Sequence, residues 1–278
     1  MTAESFAHCE TLVRAADRDR WLAALFAPAA QRPHLLALYA FNVEVARVRE
    51  VARTPMAGEI RLQWWRDALG GEGHGEVRAN PVADALLATV AAHALPTAPL
   101  LLLLEARAFD LYDDPMPNLT ALYGYVRKTS SALIELAGRI LAGPDPMIAA
   151  LAGPAGIGSG LARLLQAMPA HAARGQVYLP ADLLARHGVD PADIVERRES
   201  PGLRAALADL RERARLELAE AERARAMLPA AAGPAFLPVA LAGPLLDRLE
   251  AADDPFARVD LAPWRRQWIL WRAARRSR

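Results

Sequence analysis

The chain has 278 residues, of which 53% are hydrophobic, so it is long enough to bury a substantial core. The formal net charge of +1 gives no general attraction for nucleic acid, and we expect no nucleic-acid partner. Cys9 is the only cysteine, which excludes an intramolecular disulfide and a thiolate metal cluster.

The first twenty residues, MTAESFAHCETLVRAADRDR, lack the continuous apolar segment of a secretory signal. The most apolar run, PLLLLLEA at 99–106, is too short to cross a bilayer. We therefore expect a cytoplasmic location, with peripheral contact to the inner membrane left open.

Apolar residues recur at helical spacing along most of the chain, and alternating strand patterns are scarce. The pattern predicts helices over 17–30, 33–53, 58–69, 82–94, 97–112, 118–142, 147–167, 181–187, 191–197, 201–228, 235–250 and 263–276. The glycine-rich stretch GPAGIGSG, 153–160, has neither the strand nor the Lys-Ser/Thr pair of a phosphate loop, and we expect a helix break there. Linkers are short and no repeat is visible, which favours one all-α domain over 1–278 with roughly ten or more helices.

Four segments resemble the squalene/phytoene synthase family. They are RPHLLALYAFNVEVARVRE at 32–50, GEIRLQWWRDAL at 58–69, ARAFDLYDDPMPNLTALYGYV at 106–126 and GQVYLPADLLARHGV at 175–189. The resemblance runs from about residue 17 to about residue 270, and the frame motifs are specific only when taken together. It implies an isoprenoid-synthase-like bundle around a central cavity. In the family, two Asp-rich motifs face each other there and hold Mg²⁺ against two isoprenoid diphosphates.

The first motif is degenerate in this chain. Counted from YAF, the acidic positions of the family fall on Ala46, Arg47 and Glu50, so a cation stands where a metal should be bound. Glu44 lies three residues before Arg47, and Glu50 three after it, which predicts a ladder in which both glutamates pair with Arg47. The resemblance places three further residues of this helix at the cavity, namely Tyr39, Phe41 and Asn42.

The second motif is degenerate as well. Counted back from GQVYLP, its acidic positions fall on Ala167, Ala170 and His171. Gln166 stands where the family has an arginine, and Arg163 lies one turn earlier. Gln176 and Tyr178 belong to the GQVYLP frame itself. We therefore expect no metal, no cofactor and no catalytic residue, with Mg²⁺ required only if the chain is an enzyme after all.

A residual acidic cluster is formed in sequence by Asp110, Asp113 and Asp114. The i, i+3, i+4 spacing could hold one divalent ion. We favour the alternative, in which these are solvated acids at the end of a helix that runs into Pro115.

The C-terminal stretch PWRRQWILWRAARRSR carries a tryptophan stripe at Trp264, Trp268 and Trp271, with Arg272 and Arg275 beside it. A basic helix with an aromatic face suits an anionic membrane surface. The favoured alternative is that the stripe docks on the protein core.

Three functions are compatible with these features. The first is a non-catalytic member of the family, most similar to the branch that includes a mitochondrial complex I assembly factor. That branch shares AFN followed by a glutamate. It also shares a G-x-x-R-x-Q-W/F-W pattern, which in this chain is formed by Gly58, Arg61, Gln63, Trp64 and Trp65. It implies an assembly or chaperone role at the inner membrane with a respiratory-chain partner.

The second is an active prenyltransferase that condenses isoprenoid diphosphates. The third is a protein that binds a prenyl or other lipid in the cavity.

Overall fold

A computed structural model describes residues 2–72 and 76–276, and the described residues form helices and turns without a strand. The N-terminal part contains α1 (Thr2–Ala16), α2 (Arg18–Ala24), α3 (Arg32–Ala46), α4 (Val48–Val51), α5 (Pro55–Gly70), α6 (Pro81–His93), α7 (Ala98–Ala108), α8 (Leu119–Val126) and α9 (Ala132–Ala142). The C-terminal part contains α10 (Pro146–Ala172), α11 (Ala181–Arg186), α12 (Pro191–Val195), α13 (Pro201–Ala224), α14 (Gly233–Phe236), α15 (Ala242–Glu250) and α16 (Pro263–Arg276). The all-α class predicted from the sequence is confirmed. The single domain over 1–278 stays a prediction.

Several helices begin at the same two-residue signal, a capping side chain followed by proline. Asn80 accepts hydrogen bonds from the amides of Val82 and Ala83 at 2.9 and 3.1 Å, and Pro81 occupies the first helical position. Proline is favoured there because the missing N–H would have no intrahelical partner. The same signal starts four other helices, at Thr54–Pro55, Asp145–Pro146, Asp190–Pro191 and Ser200–Pro201.

Helix α3 is the central helix of the N-terminal part. Nine consecutive residues, 35–43, are buried, as expected for a helix surrounded by others. It packs against α1 and α6. The predicted helix over 33–53 is wrong at its end, because α3 stops at Ala46 and Arg47 turns the backbone before the short α4 begins. Helix α1 was absent from the predicted elements.

Helix α10 runs without interruption through the stretch expected to be a helix break, so that expectation is wrong. The glycines serve close packing instead. A Cβ atom on Gly156 would lie 2.3 Å from the backbone of Ser131, and one on Gly160 would lie 2.4 Å from the Val126 side chain. On the opposite face, a Cβ on Gly158 would lie 2.7 Å from Leu218 of α13. By length and composition α10 could cross a membrane, but 61% of its most apolar window is buried inside the protein.

The predicted helix over 118–142 is three pieces. A π-helical segment, Arg127–Ser131, joins α8 to α9. Such segments are rare and often occur at functional sites. This one packs against α10 and brings Thr129 and Ser130 to the wall of the cavity described below.

Candidate functional site

A cavity of about 270 Å³ lies between α3 and α10 and is called the central cavity below. Ala46 and Arg47 line it at the end of α3, and Ala167 and His171 line it from α10. These are four of the positions at which the resemblance places the two metal-binding motifs. The predicted meeting of the two degenerate motifs across one cavity therefore agrees with the structure.

The wall of the central cavity is rich in arginine. Four arginines line it, namely Arg20, Arg47, Arg107 and Arg163, and Asp17 is the one acid among its described lining residues. Asp17 caps α2 and accepts a hydrogen bond from the Arg20 guanidinium at 2.5 Å. Burial raises the pKa of the Asp17 carboxyl, but Arg20 and Arg163 outweigh that effect and hold the pKa below its usual value.

Mg²⁺ does not fit this arrangement. The described residues contain no group of three or more His, Cys, Asp or Glu side chains that could hold a metal ion. The single carboxylate of the central cavity is already bonded to a guanidinium. A hard divalent cation needs several oxygen ligands, whereas four guanidinium groups favour an anion.

The predicted ladder around Arg47 is half correct. Arg47 Nε lies 3.2 Å from Glu50 Oε2, and the other oxygen of Glu50 accepts a hydrogen bond from Arg174 Nη1 at 2.6 Å. Burial raises the pKa of the Glu50 carboxyl, but Arg174 and Arg47 together outweigh that effect and hold the pKa below its usual value. Glu50 thus joins α4 to the end of α10. These side chains are partly exposed, so the bridge adds little to stability, about 0–1 kcal/mol.

Glu44 is not part of that ladder, because the helix ends between it and Glu50 and Arg47 no longer continues the same face. Its half-buried carboxyl faces the other side of α3. Burial raises its pKa, and His8, Asn80 and Arg61 partly offset the increase.

Asp110 is not a solvated acid, and it shares no metal site with its neighbours in sequence. Its side chain is 6% exposed and accepts hydrogen bonds from Tyr178 at 2.6 Å, Tyr125 at 2.8 Å and Arg107 at 3.0 Å. Gln176 donates to its backbone carbonyl at 2.9 Å. The predicted cluster is therefore wrong for Asp110, because the chain turns it inward at the end of α7.

The two other acids of that cluster stay at the surface. Asp113 pairs with Arg49 at 2.7 Å, and Asp114 is exposed. The favoured prediction of solvated acids holds for these two.

Arg107 completes this buried network beside the central cavity. Its Nη1 atom also donates to the Tyr125 hydroxyl at 2.7 Å. Burial alone would lower the pKa of Arg107, but Tyr125 and Asp110 raise it, so its positive charge is secure. For Tyr125 and Tyr178, burial raises the pKa of the hydroxyl, so both hydroxyls stay protonated and can act as donors.

Three buried polar atoms around the central cavity have no hydrogen-bond partner among the described residues, namely Asn42 Oδ1, Arg107 Nε and His171 Nδ1. Buried polar atoms are normally paired, with protein or with water. Burial, reinforced by Arg174, lowers the pKa of His171 to about 4, so its ring is neutral near pH 7. The cavity thus offers unsatisfied polar groups beside four guanidinium groups, each of which is ion-paired with a carboxylate.

Arg163 and Gln166 separate the cavity from the C-terminal segment. Arg163 Nη2 lies 3.3 Å from Asp19 Oδ2. Gln166 turns away from the cavity and donates to the carbonyl of Val259 at 3.1 Å and to Asp260 at 3.3 Å. The residue at the arginine position of the family motif therefore holds the segment that leads into α16.

The aromatic residues expected at the cavity have different positions. Phe41 packs edge-to-face on Trp65 at 4.9 Å in the core, so its predicted cavity position is wrong. Tyr39 is buried beneath the Arg20 guanidinium, at 5.7 Å, and burial raises its pKa to about 12. Tyr178 does not line the cavity itself, but its ring contacts two residues that do, His171 at a centroid distance of 4.5 Å and Tyr125 at 5.5 Å.

The favoured prediction that the tryptophan stripe of the C-terminal helix docks on the protein core is wrong. Trp264, Trp268 and Trp271 are 71%, 51% and 39% exposed, and α16 docks through Leu270 and Ala273 instead. The tryptophan stripe and the docking face lie on different sides of the helix. Arg278, the last cation of this stretch, lies outside the described residues.

Sequence reasoning missed three residues of the site, Asp17, Arg20 and Arg107. A signal existed for each, because Asp17 and Arg20 are three residues apart in DRDR, and Arg107 precedes Asp110 by the same interval. Helical spacing indicates such pairs, but it does not tell which of them are buried.

Comparison with known proteins finds relatives that match most of the chain. The chain is 31% identical over 250 residues to the protein of Rattus norvegicus named NADH dehydrogenase (ubiquinone) complex I, assembly factor 6, a match that covers 90% of this chain and 75% of the relative. The Homo sapiens protein of that name is 30% identical, with 88% and 74% covered. The crystal structure of the squalene synthase HpnC from Alicyclobacillus acidocaldarius superimposes with a TM-score of 0.76 at 26% identity, over 89% of this chain and 94% of that one.

The sequence model of squalene/phytoene synthases matches residues 13–272, nearly the whole chain. The chain therefore belongs to the squalene/phytoene synthase family.

Proposed function

We propose that this protein is a non-catalytic assembly factor for a respiratory complex I, and that it acts from the cytoplasmic side at the surface of the inner membrane. The similarity to relatives named complex I assembly factor 6, over about nine-tenths of this chain, supports this role. The partner is a subunit or assembly intermediate of that complex.

One observation carries the non-catalytic part of the proposal, namely the position of Arg47 at the central cavity. A guanidinium bonded to Glu50 stands where the family resemblance places a metal ligand. Release of diphosphate from an isoprenoid substrate needs metal ions to neutralise the leaving group. The arginines of this cavity could bind a diphosphate, but no carboxylate array is present in the described part of the chain to hold the ions.

The assembly role is tested by deleting the gene in the organism that encodes it. We expect loss of NADH:quinone oxidoreductase activity and of the assembled complex on a native gel, with both restored by the wild-type gene. A succinate dehydrogenase assay controls for general damage to the membrane. Normal levels of assembled complex I in the deletion strain would reject the assembly role.

The alternative is an active prenyltransferase, and a separate assay addresses it. Purified protein is incubated with farnesyl or geranylgeranyl diphosphate and Mg²⁺, and pyrophosphate release is measured against a squalene synthase as positive control. We expect no release above background. Metal-dependent release that Glu50→Ala abolishes would overturn the non-catalytic assignment.

A second candidate function is binding of a prenyl lipid with an anionic head in the central cavity. The observation in its favour is the combination of four arginines with three unpartnered buried polar atoms. Mass spectrometry of lipids extracted from the purified protein distinguishes it from the assembly role: a stoichiometric prenyl diphosphate or monophosphate favours the second candidate, whereas respiratory-chain subunits in a pull-down favour the first.

A further inference from the structure

A second concavity lies away from the central cavity, beside the C-terminal helix. This groove measures about 400 Å³ and is bordered by α10, α13, the segment 228–244 and α16. Its walls are mainly apolar, with contributions from Leu151, Ala155, Leu218, Ala221, Phe236 and Leu237. Its volume falls within the range of small-molecule sites, roughly 300–1,000 Å³.

The rim of the groove is positively charged. Arg272 and Arg276 border it from α16, both are exposed, and neither makes a side-chain hydrogen bond or ion pair to a described residue. Glu222 is the one acid among the described lining residues, and it lies 3.4 Å from Arg225. Arg225 also donates to the carbonyl of Ala273 at 3.1 Å, which closes one wall against α16. The rim therefore presents net positive charge above an apolar interior.

The tryptophans next to the rim belong to the same surface. Trp268 borders the groove and stacks on Trp271 at 4.9 Å, and Arg275 lies 4.4 Å above the Trp271 ring. Exposed tryptophans with adjacent arginines are characteristic of the boundary between lipid headgroups and acyl chains. An apolar groove that opens among these side chains would face the acyl layer if α16 lay on a bilayer.

The size of the groove distinguishes between possible occupants. A helix is about 10 Å across, so a volume of this size would hold only about one helical turn. An acyl chain is narrower and flexible, and it can follow an irregular apolar groove. A phosphate next to the chain would meet the guanidinium groups of the rim.

We propose that this groove binds one acyl chain of an anionic phospholipid, with the lipid phosphate held by Arg272 and Arg276. The site goes beyond the proposed function, because it requires neither a complex I partner nor a ligand in the central cavity. It gives the chain a specific lipid contact in place of general adsorption to a charged surface.

Gly243 provides the most direct test. It borders the groove, and apart from its chain neighbours a Cβ atom added there would meet nothing within 4 Å, so the side chain introduced by Gly243→Leu has room in the groove. Gly124→Leu is the matched control, because Gly124 also lies in a helix with open space at Cβ but does not border the groove. Far-UV circular dichroism verifies that both variants fold.

Full-length protein is incubated with vesicles of phosphatidylglycerol or phosphatidylcholine, re-isolated, and examined by native mass spectrometry for a 1:1 lipid adduct. We expect an adduct with phosphatidylglycerol that falls at least tenfold in Gly243→Leu and is retained in Gly124→Leu. We expect the same loss in the double variant Arg272→Gln/Arg276→Gln, but not in Arg53→Gln/Arg258→Gln, which changes the net charge equally at exposed sites elsewhere.

Three outcomes would overturn the proposal. They are an equal adduct with phosphatidylcholine, an adduct undiminished by Gly243→Leu and by the Arg272/Arg276 variant, and vesicle binding with no adduct at all, which indicates surface adsorption. The complex I assay in the deletion strain is independent of this measurement, so failure of one proposal is separable from failure of the other.

Discussion

Asp110 accepts hydrogen bonds from two tyrosine hydroxyls and one guanidinium, all within 3.0 Å of its carboxylate. Removal of one partner from such a buried network costs more than the network contributes as a whole, because the remaining charge stays buried without compensation. Here that charge is Arg107, whose Nε atom already has no partner.

We predict that Asp110→Ala destabilises the protein by about 3–5 kcal/mol, measured as the free energy of unfolding in urea. Asp114→Ala is the control, since the same substitution at an exposed carboxylate should change stability by no more than about 0.5 kcal/mol. Equal effects of the two substitutions would show that the buried network does not hold this end of α7.

At the same scale, the sequence predicted some pairs and missed the burial that gives others their importance. The i, i+3 spacing predicted the contact between Arg47 and Glu50, which the structure contains. The same rule failed for Glu44 because it assumes a continuous helix. The spacing of Asp110 and Asp113 was equally helical, yet one acid is buried and the other is not. Burial depends on partners such as Tyr178, 68 residues away in the chain, which local spacing does not identify.

At the scale of elements, the approach of α10 to the π-helical segment depends on a glycine. The position of Gly156 leaves no room for even one methyl group against the backbone of Ser131. Backbone atoms cannot rotate away as a side chain can, so a larger residue must push the two elements apart.

We predict that Gly156→Ala lowers the free energy of unfolding by about 2–3 kcal/mol, because overpacking outweighs the better helix propensity of alanine. Gly124→Ala, in α8 with nothing within 4 Å of the added Cβ and no proline after it, should raise stability by about 0.5–1 kcal/mol. A stabilising effect at both positions would show that α10 can move away from Ser131 without loss.

Helix starts were more predictable than helix interruptions. A capping residue followed by proline is a local signal, and it marks five helix starts in this chain. The end of α3 at Ala46 and the π-helical turn at 127–131 carry no comparable signal. Glycines misled the prediction over 153–160, because glycine both weakens isolated helices and permits close helix packing.

At the scale of the whole molecule, the central cavity brings together charges from distant segments. Arg20, Arg107 and Arg163 come from α2, α7 and α10. Family resemblance predicted the two facing motifs, since each lies within one segment. It did not predict the arginine-rich wall, which depends on long-range packing of residues outside those motifs.

Burial also makes the fold sensitive to acid. Burial lowers the pKa of His34, His93 and His171 in the folded protein. As the pH falls, the unfolded chain therefore binds protons at these rings more readily than the folded protein does, and the folded state loses stability. Asp19 and Glu44 act in the opposite sense, because burial raises their pKa and protonation relieves that cost. A variant is therefore needed to isolate one histidine.

His171 is the clearest case, with a folded-state pKa of about 4 against an ordinary value of 6.5. A depressed histidine pKa means that the unfolded chain binds the proton first, so stability is lost as the pH falls from 6.5 toward 4.

We predict that His171 accounts for about 2 kcal/mol of stability lost between pH 7 and pH 5. The free energy of unfolding of His171→Gln, measured in urea at both pH values, should therefore fall by about 2 kcal/mol less than that of the wild type. Parallel losses in wild type and His171→Gln would mean that the His171 site opens to solvent before the chain unfolds.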